Sequence, residues 1–476
     1  MGLINSRFPY ISRALGTYLE LLNKVRVARG KPKVESSKAA LYVLKVSAVP
    51  TFGLALASYA ASKHLDSPHL FNLTIPAIAS MLFLLPLAVE LLSYITYVKN
   101  LREDIAYFMI LEGSSPGDDL MRDLEEESEH ACQFLPSLCN EYMRLKLFSK
   151  FFPGVKGIKE YVLRAPKPMR KLLLEYIVTR ESANFSTWIY SKFQESLREL
   201  KTSAKNSLEL KTILSLTVVV FNGLTPPLIA LVVALTGSGI QYTYITSVAP
   251  AIALAISESL TPRLLKIPVE TRRIRYLLTI AVLPLLLSPI VGVRASLLLL
   301  GIALLVLGAV VTQQFLAAYL AVVSIPSQLI NLADRVPYAH RPVELVERSL
   351  GGLRNRNVFT SLCYYMLSRS IRHGSVDTTR IIAFKDIVEE LFSIVKQSIA
   401  VRLLVVATAF FLPFVLNFSV SLLAATGLVS SEIRTYCFVS SLFYSVIATL
   451  AAFGTLENTA LVGLVLLELY ALGVTP

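Results

Sequence analysis

At 476 residues the chain could hold two or three soluble domains, yet 54% of it is hydrophobic and 17% charged, a balance that excludes a soluble protein of this length. The apolar residues collect in uncharged runs of about 20, the length at which a helix crosses a hydrocarbon layer of roughly 30 Å. The net charge of +13 raises nucleic acid as a partner, but the basic residues sit between apolar runs and form no aromatic and arginine stripe, so direct nucleic-acid binding is set aside.

The chain begins with a stretch, residues 1–38, whose apolar side chains Ile4, Phe8, Ile11, Leu15, Leu19, Leu22 and Val25 recur at helical spacing, with Arg7, Arg13, Lys24 and Arg26 between them. This predicts a cytoplasmic amphipathic helix, lying on lipid headgroups or packed on a cytoplasmic domain. Nine apolar segments follow in the sequence: Ala39 to Ala61, Leu73 to Val98, Thr212 to Thr236, Tyr242 to Leu260, Tyr276 to Val293, Ala295 to Val323, Leu403 to Leu428, Tyr436 to Phe453 and Asn458 to Gly473. The first has too long a basic lead-in for a secretory signal and reads as a retained anchor. Glu90, Glu258 and Glu468 each lie near a segment end, where a carboxylate reaching for the headgroups is the expected account.

Sidedness follows from lysine and arginine. Nine of the 46 lie up to Lys45, eighteen between Lys99 and Lys211, five between Arg263 and Arg275, and ten between Arg335 and Lys396, all on one side of a nine-crossing topology. Only Lys63, Arg294 and Arg434 fall on the other side, with Arg402 inside a membrane end. The amino terminus is therefore expected in the cytoplasm and the carboxyl terminus outside the cell, in a multi-pass protein of the cell membrane.

The expected organisation is all-α and polytopic: residues 1–38 an amphipathic helix, 39–98 crossings one and two, 99–211 a first cytoplasmic helical bundle, 212–260 crossings three and four, 261–275 a basic loop, 276–323 crossings five and six, 324–399 a second cytoplasmic bundle, and 400–476 crossings seven to nine. Breaks in the first bundle are expected at Gly113 to Gly117, at Pro153 and Gly154, and around Pro166 and Pro168, leaving four or five helices; in the second, at Pro337, Pro342, Gly351 and Gly374. The two halves repeat one order in the same orientation: bundle, charged amphipathic helix, outgoing crossing with an internal proline (Pro226 and Pro227, then Pro413), tight external turn, returning crossing. This is a tandem parallel repeat, unlike the inverted repeats of many secondary transporters.

The order, together with REDIAYF (Arg102 to Phe108), the turn GSSPGDD (Gly113 to Asp119), the exit helix FNGLTPPLIALVVAL (Phe221 to Leu235) and Gly374 in SIRHGSVD, resembles the inner-membrane platform family of type IV pilus and type II secretion machines, in its archaeal branch that includes the archaellum platform. In the first copy Glu181 and Ser182 occupy the turn equivalent to Gly374. The resemblance implies a subunit without a catalytic centre or cofactor that holds a hexameric secretion ATPase on its bundles and guides pilin subunits into a filament, as a homo-oligomer, dimer or trimer.

Candidate sites follow. The acid-rich stretch Asp118 to Glu129 offers Glu125, Glu126, Glu127 and Glu129 for docking on a basic rim of the ATPase; a solvated first turn favoured by the helix dipole accounts for the same acids. Two basic groups, Arg164, Lys167, Arg170 and Lys171, then Arg354, Arg356, Arg369 and Arg372, suit either acidic patches of the motor or anionic lipid. Asn222, Thr225, Pro226 and Pro227, at a proline bend, are the candidates to face pilin. Cys132, Cys139, Cys363 and Cys437 form no CxxC pair and are expected as reduced thiols, the first two on one helical face. The five histidines, among them His130, His340 and His373, are scattered, and no GxxxxGK[ST], HExxH or GxSxG motif occurs, so no metal, cofactor or catalytic site is expected. A transporter or channel is the alternative; against it, the crossings carry only isolated polar residues such as Asn222, Gln313, Gln314 and Asn417.

Overall fold

The computed structural model describes residues 9–28, 31, 33–35, 42, 68–114, 119–152, 155–181, 185–219, 253–254, 257–258, 261–266, 292–335, 338–341, 344–345, 348–349, 358–372, 378–425, 431–455 and 457–473. Among them the protein is all-helical, with no strand. The helices are α1 (Pro9–Ala28), α2 (Pro68–Ser114), α3 (Leu120–His130), α4 (Pro136–Phe151), α5 (Val155–Arg164), α6 (Lys167–Glu181), α7 (Phe185–Val219), α8 (Val293–Val323), α9 (Ile325–Arg335), α10 (Val358–Arg372), α11 (Thr378–Ala425), α12 (Ser431–Phe453) and α13 (Ala460–Ala471), with a 3-10 turn at Arg263–Leu265.

Two stretches, Arg294–Leu332 and Ile387–Phe418, are long and apolar enough to cross a membrane, and Phe438–Phe453 and Ala460–Ala471 are shorter apolar helices. The expected first crossing apart from Tyr42, and most of the third, fourth and fifth, lie outside the described residues.

The chain divides into two compact units. The first holds residues 1–105 and 119–185, the second 106–118 and 186–476. The bundle drawn from the sequence at 99–211 is therefore parted, with nearly all of α7 in the second unit.

In the first unit, Leu22 of α1 is fully buried and Arg26 reaches Glu90 of α2 at 2.6 Å. Asn23 exchanges two hydrogen bonds with the backbone of Val34, which folds the chain back over the helix end. Glu90 is buried and gripped by Arg26, by Lys31 at 3.6 Å and by the Tyr42 hydroxyl at 2.6 Å, so it is a paired carboxylate and not one stretched toward headgroups.

Two features of the first bundle correct the expectation. The chain breaks at 131–135, because Pro136 takes the first turn of α4, where its missing N–H costs nothing. That turn brings Cys132 and Cys139, which belong to different segments and not to one helix face, to a Cα separation of 5.6 Å as a disulfide. Cys363 is the one free cysteine among the described side chains; full burial pushes its thiol up to about 12, leaving it protonated and inert.

In the second unit, α8, α11, α12 and α13 build one apolar core around Leu304, Val405, Leu412, Ala448 and Val465. Small residues let α8 and α13 approach closely: a Cβ on Gly463 would stand 2.7 Å from the Gly301 carbonyl oxygen. Polar contacts pin the same pair, with Thr459 donating to the Leu304 carbonyl at 2.7 Å and Thr312 to Asn458 at 3.2 Å. Pro413 lies inside α11 without ending it.

Candidate functional site

α7 and α11 share one design. Each starts charged and becomes apolar with no break, so its backbone ladder is continuous across the change. They are linked at two points, which follow in the same order along both helices. Lys201 of α7 pairs with Glu390 of α11, and about 15 Å further along, at 1.5 Å per residue, Lys211 and Arg402 gather around Glu258. The paired positions keep nearly the same offset, 189 residues for Lys201 with Glu390 and 191 for Lys211 with Arg402.

The Glu258 cluster is a heavily buried charged group at an apolar boundary. Lys211 is 3% exposed, Glu258 5% and Arg402 7%. Lys211 donates to Glu258, and Thr261 adds a contact at 3.4 Å. Arg402 donates to the carbonyls of Ala452, at 2.9 Å, and of Leu265, and its guanidinium lies 5.6 Å from the centre of the Phe315 ring. Ala452 is in the last turn of α12 and Leu265 ends the 3-10 turn, so Arg402 satisfies carbonyls that have no partner within their own helix. Glu258 thus answers two cations, and headgroup reach does not explain it. Glu468 differs: it is half-buried on α13, and its carboxylate has no hydrogen-bond partner among the described residues.

A second buried pair joins Glu112, near the end of α2, to Arg369 of α10 at 2.7 Å, both side chains at 0% exposure. Its neighbours on α2, Tyr107 to Leu111, and on α10, Phe359 to Leu367, are buried throughout.

In the first unit the corresponding hub is Glu141, fully buried on α4. It accepts from the hydroxyls of Tyr97 and Tyr161 and from Arg144 at 2.6 Å. Burial, and then the Glu141 charge, push the Tyr161 phenol far up, so Tyr161 stays a donor. Asp104, one to two turns along α2, accepts the amides of Ser137 and Leu138 at 2.7 and 3.2 Å, which caps the start of α4.

The expected docking residues separate. On α3, Glu125 and Glu129 are exposed and Glu126 half-buried, and Glu125 pairs with Lys146 at 2.6 Å, which holds its carboxyl below the usual range. Glu127 departs from that expectation: it is 2% exposed, on the helix face of Leu120 and Leu124, and is closed to an outside protein. Leucines at i−7 and i−3 were the signal that it faces inward. Arg164, Lys167, Arg170 and Lys171 are exposed, but Arg170 is spent on the carbonyls of Val162, Leu163 and Ala165 that end α5. Arg369 is corrected in the same way as Glu127, since its guanidinium is wholly enclosed. Its signal was a charge alone in a helix of uncharged residues up to Arg372. Arg372 ends α10 with its side chain outside the described residues, where Arg354, Arg356, Asn222, Thr225, Pro226 and Pro227 also lie.

Asp119 caps α3 by accepting the Met121 amide at 2.9 Å. Burial raises its pKa, but the Tyr176 hydroxyl at 2.6 Å, the Met121 amide and the charges of Arg180 and Arg122 bring the carboxyl below its ordinary value. A carboxylate lowered by folding stabilises the fold above its unfolded pKa, and that contribution disappears as the pH falls through the folded value. Asp119→Asn keeps a good cap but removes the charge, so the variant should unfold below the wild-type temperature at neutral pH, and the two should converge as the pH falls to about 3. Melting curves followed by helical circular dichroism check this.

No known protein family, curated protein or solved structure matches the chain.

Proposed function

We propose that the chain is a platform protein of the cell membrane, with about nine crossings, a cytoplasmic amino terminus and an extracellular carboxyl terminus. It docks a hexameric secretion ATPase on its cytoplasmic helices and guides pilin subunits from the bilayer into a filament of the type IV pilus kind. It has no chemistry of its own and works as a homodimer or trimer beneath the fibre.

The observation that carries this reading is the unbroken passage of α7 and α11 from charged to apolar sequence, with the two helices tied at two points. A helix with a continuous hydrogen-bond ladder transmits displacement along its axis, whereas a loop at the boundary would absorb it. Two such rods, joined by Lys201 with Glu390 and through Glu258, move together, as a coupling between a motor and membrane segments requires. Binding energy from the motor would enter through the exposed acids of α3, Glu125 and Glu129, with Glu126 between them.

The test is retention of the full-length protein on the ATPase after reversal of these three acids to lysine. Retention should be lost. Unchanged retention, with solute flux through vesicles that contain the chain, would replace this reading by the transporter.

A further inference from the structure

The surface of α4 and α5 carries an apolar patch that its own unit leaves open. Phe151 is 79% exposed, Leu163 71%, Leu147 54% and Met143 51%. Met143, Leu147 and Phe151 recur every four residues, so they form one stripe along α4. Basic side chains surround it: Lys150, Lys156, Lys159, Arg164 and Lys167 are all exposed, and the only acid of α4 and α5 that is not fully enclosed is Glu160. Lys156 lies 6.0 Å from the Phe152 ring centre and Arg164 5.6 Å from that of Phe148, with their charged ends laid over aromatic faces.

The start of α4 is anchored on α2: Asp104 holds the amides of Ser137 and Leu138, and Tyr97 holds Glu141, so the stripe extends from a fixed base.

We infer that the α4–α5 end of the first bundle is a monolayer-inserting foot, with Met143, Leu147, Phe151 and Leu163 entering the acyl border of the cytoplasmic leaflet and Lys150, Lys156, Lys159 and Lys167 binding anionic headgroups. An apolar stripe ringed by lysine matches what an interfacial surface needs, since the apolar side chains enter the acyl border while the cations meet anionic headgroups. The inference rests on the proposed membrane setting of α2 and adds a specific lipid contact to it; Lys167 then serves lipid and not the motor.

The test uses the full chain with Trp188→Phe, which removes the one native tryptophan, and Phe151→Trp as reporter, in vesicles of phosphatidylcholine with and without phosphatidylglycerol. With phosphatidylglycerol, emission of the introduced indole should shift to the blue and be quenched by lipids brominated near the top of the acyl chain. Lys150→Glu, Lys156→Glu and Lys159→Glu together should abolish both effects. Water-like emission without quenching overturns the inference, as does quenching that ignores the three reversals, or burial of the reporter that appears only when the ATPase is added. Labelling a Glu129→Cys variant separates the two readings: label from outside the cell removes the membrane setting and the foot together, whereas cytoplasmic label with an unquenched reporter removes the foot alone.

Discussion

Arg369→Ala should destabilise the second unit by about 3–5 kcal/mol, because it leaves the Glu112 carboxylate in a site from which both side chains exclude water. The 2.7 Å contact is an ion pair off the line of a hydrogen bond, so its worth is Coulombic and depends on both charges being present. Taking two charges out of water costs several kcal/mol per ion, and their attraction in a poorly polarisable interior offsets that cost only while the pair is intact. Replacing both partners by apolar residues of similar volume, Glu112→Leu with Arg369→Met, should therefore recover most of the loss. Thermal unfolding of the detergent-solubilised protein, with limited proteolysis as a second readout, measures the cycle. A double variant no more stable than Arg369→Ala would show that the pair matters through shape or through other bonds of these residues.

Glu258→Gln should have a comparable effect by the opposite charge imbalance. The substitution keeps size and hydrogen bonding but leaves Lys211 and Arg402 facing each other, both almost fully enclosed. Loss of about 3–5 kcal/mol is expected for removing one partner of a buried pair. Adding Lys211→Met should restore most of it, since Arg402 keeps its two carbonyls and the Phe315 face. The same variant tests the coupling of the rods. A Lys201→Cys and Glu390→Cys pair should crosslink readily in the parent protein and poorly with Glu258→Gln. Undiminished crosslinking would leave Glu258 as a local stabiliser without a part in holding α7 to α11.

These residues show how far a one-dimensional reading extends. Helix class, the amphipathic start of the chain, the passage of α7 and α11 from charged to apolar, and the exposure of Glu125 and Glu129 were all legible, because each depends on spacing within one helix. Glu127 was legible too, had the leucines at its own period been weighed above the run of acids. Other features were not legible from spacing. Glu90 and Glu258 looked like carboxylates near a membrane end; their cations lie 64 and 47 residues away in sequence, and only folding brings Arg26 and Lys211 to them. Arg402 finds a carbonyl 137 residues distant.

The sequence by itself determined the helical periodicity, the apolar excess and the gathering of basic residues between the apolar runs, since these are properties of residue type and order along the chain. Tertiary structure alone decided which charged side chains leave water, how Cys132 meets Cys139, and which acid of α2 caps α4. Burial of a charge is favourable only with a partner at contact distance, and contact between distant segments is set by packing, for which no local pattern carries a code.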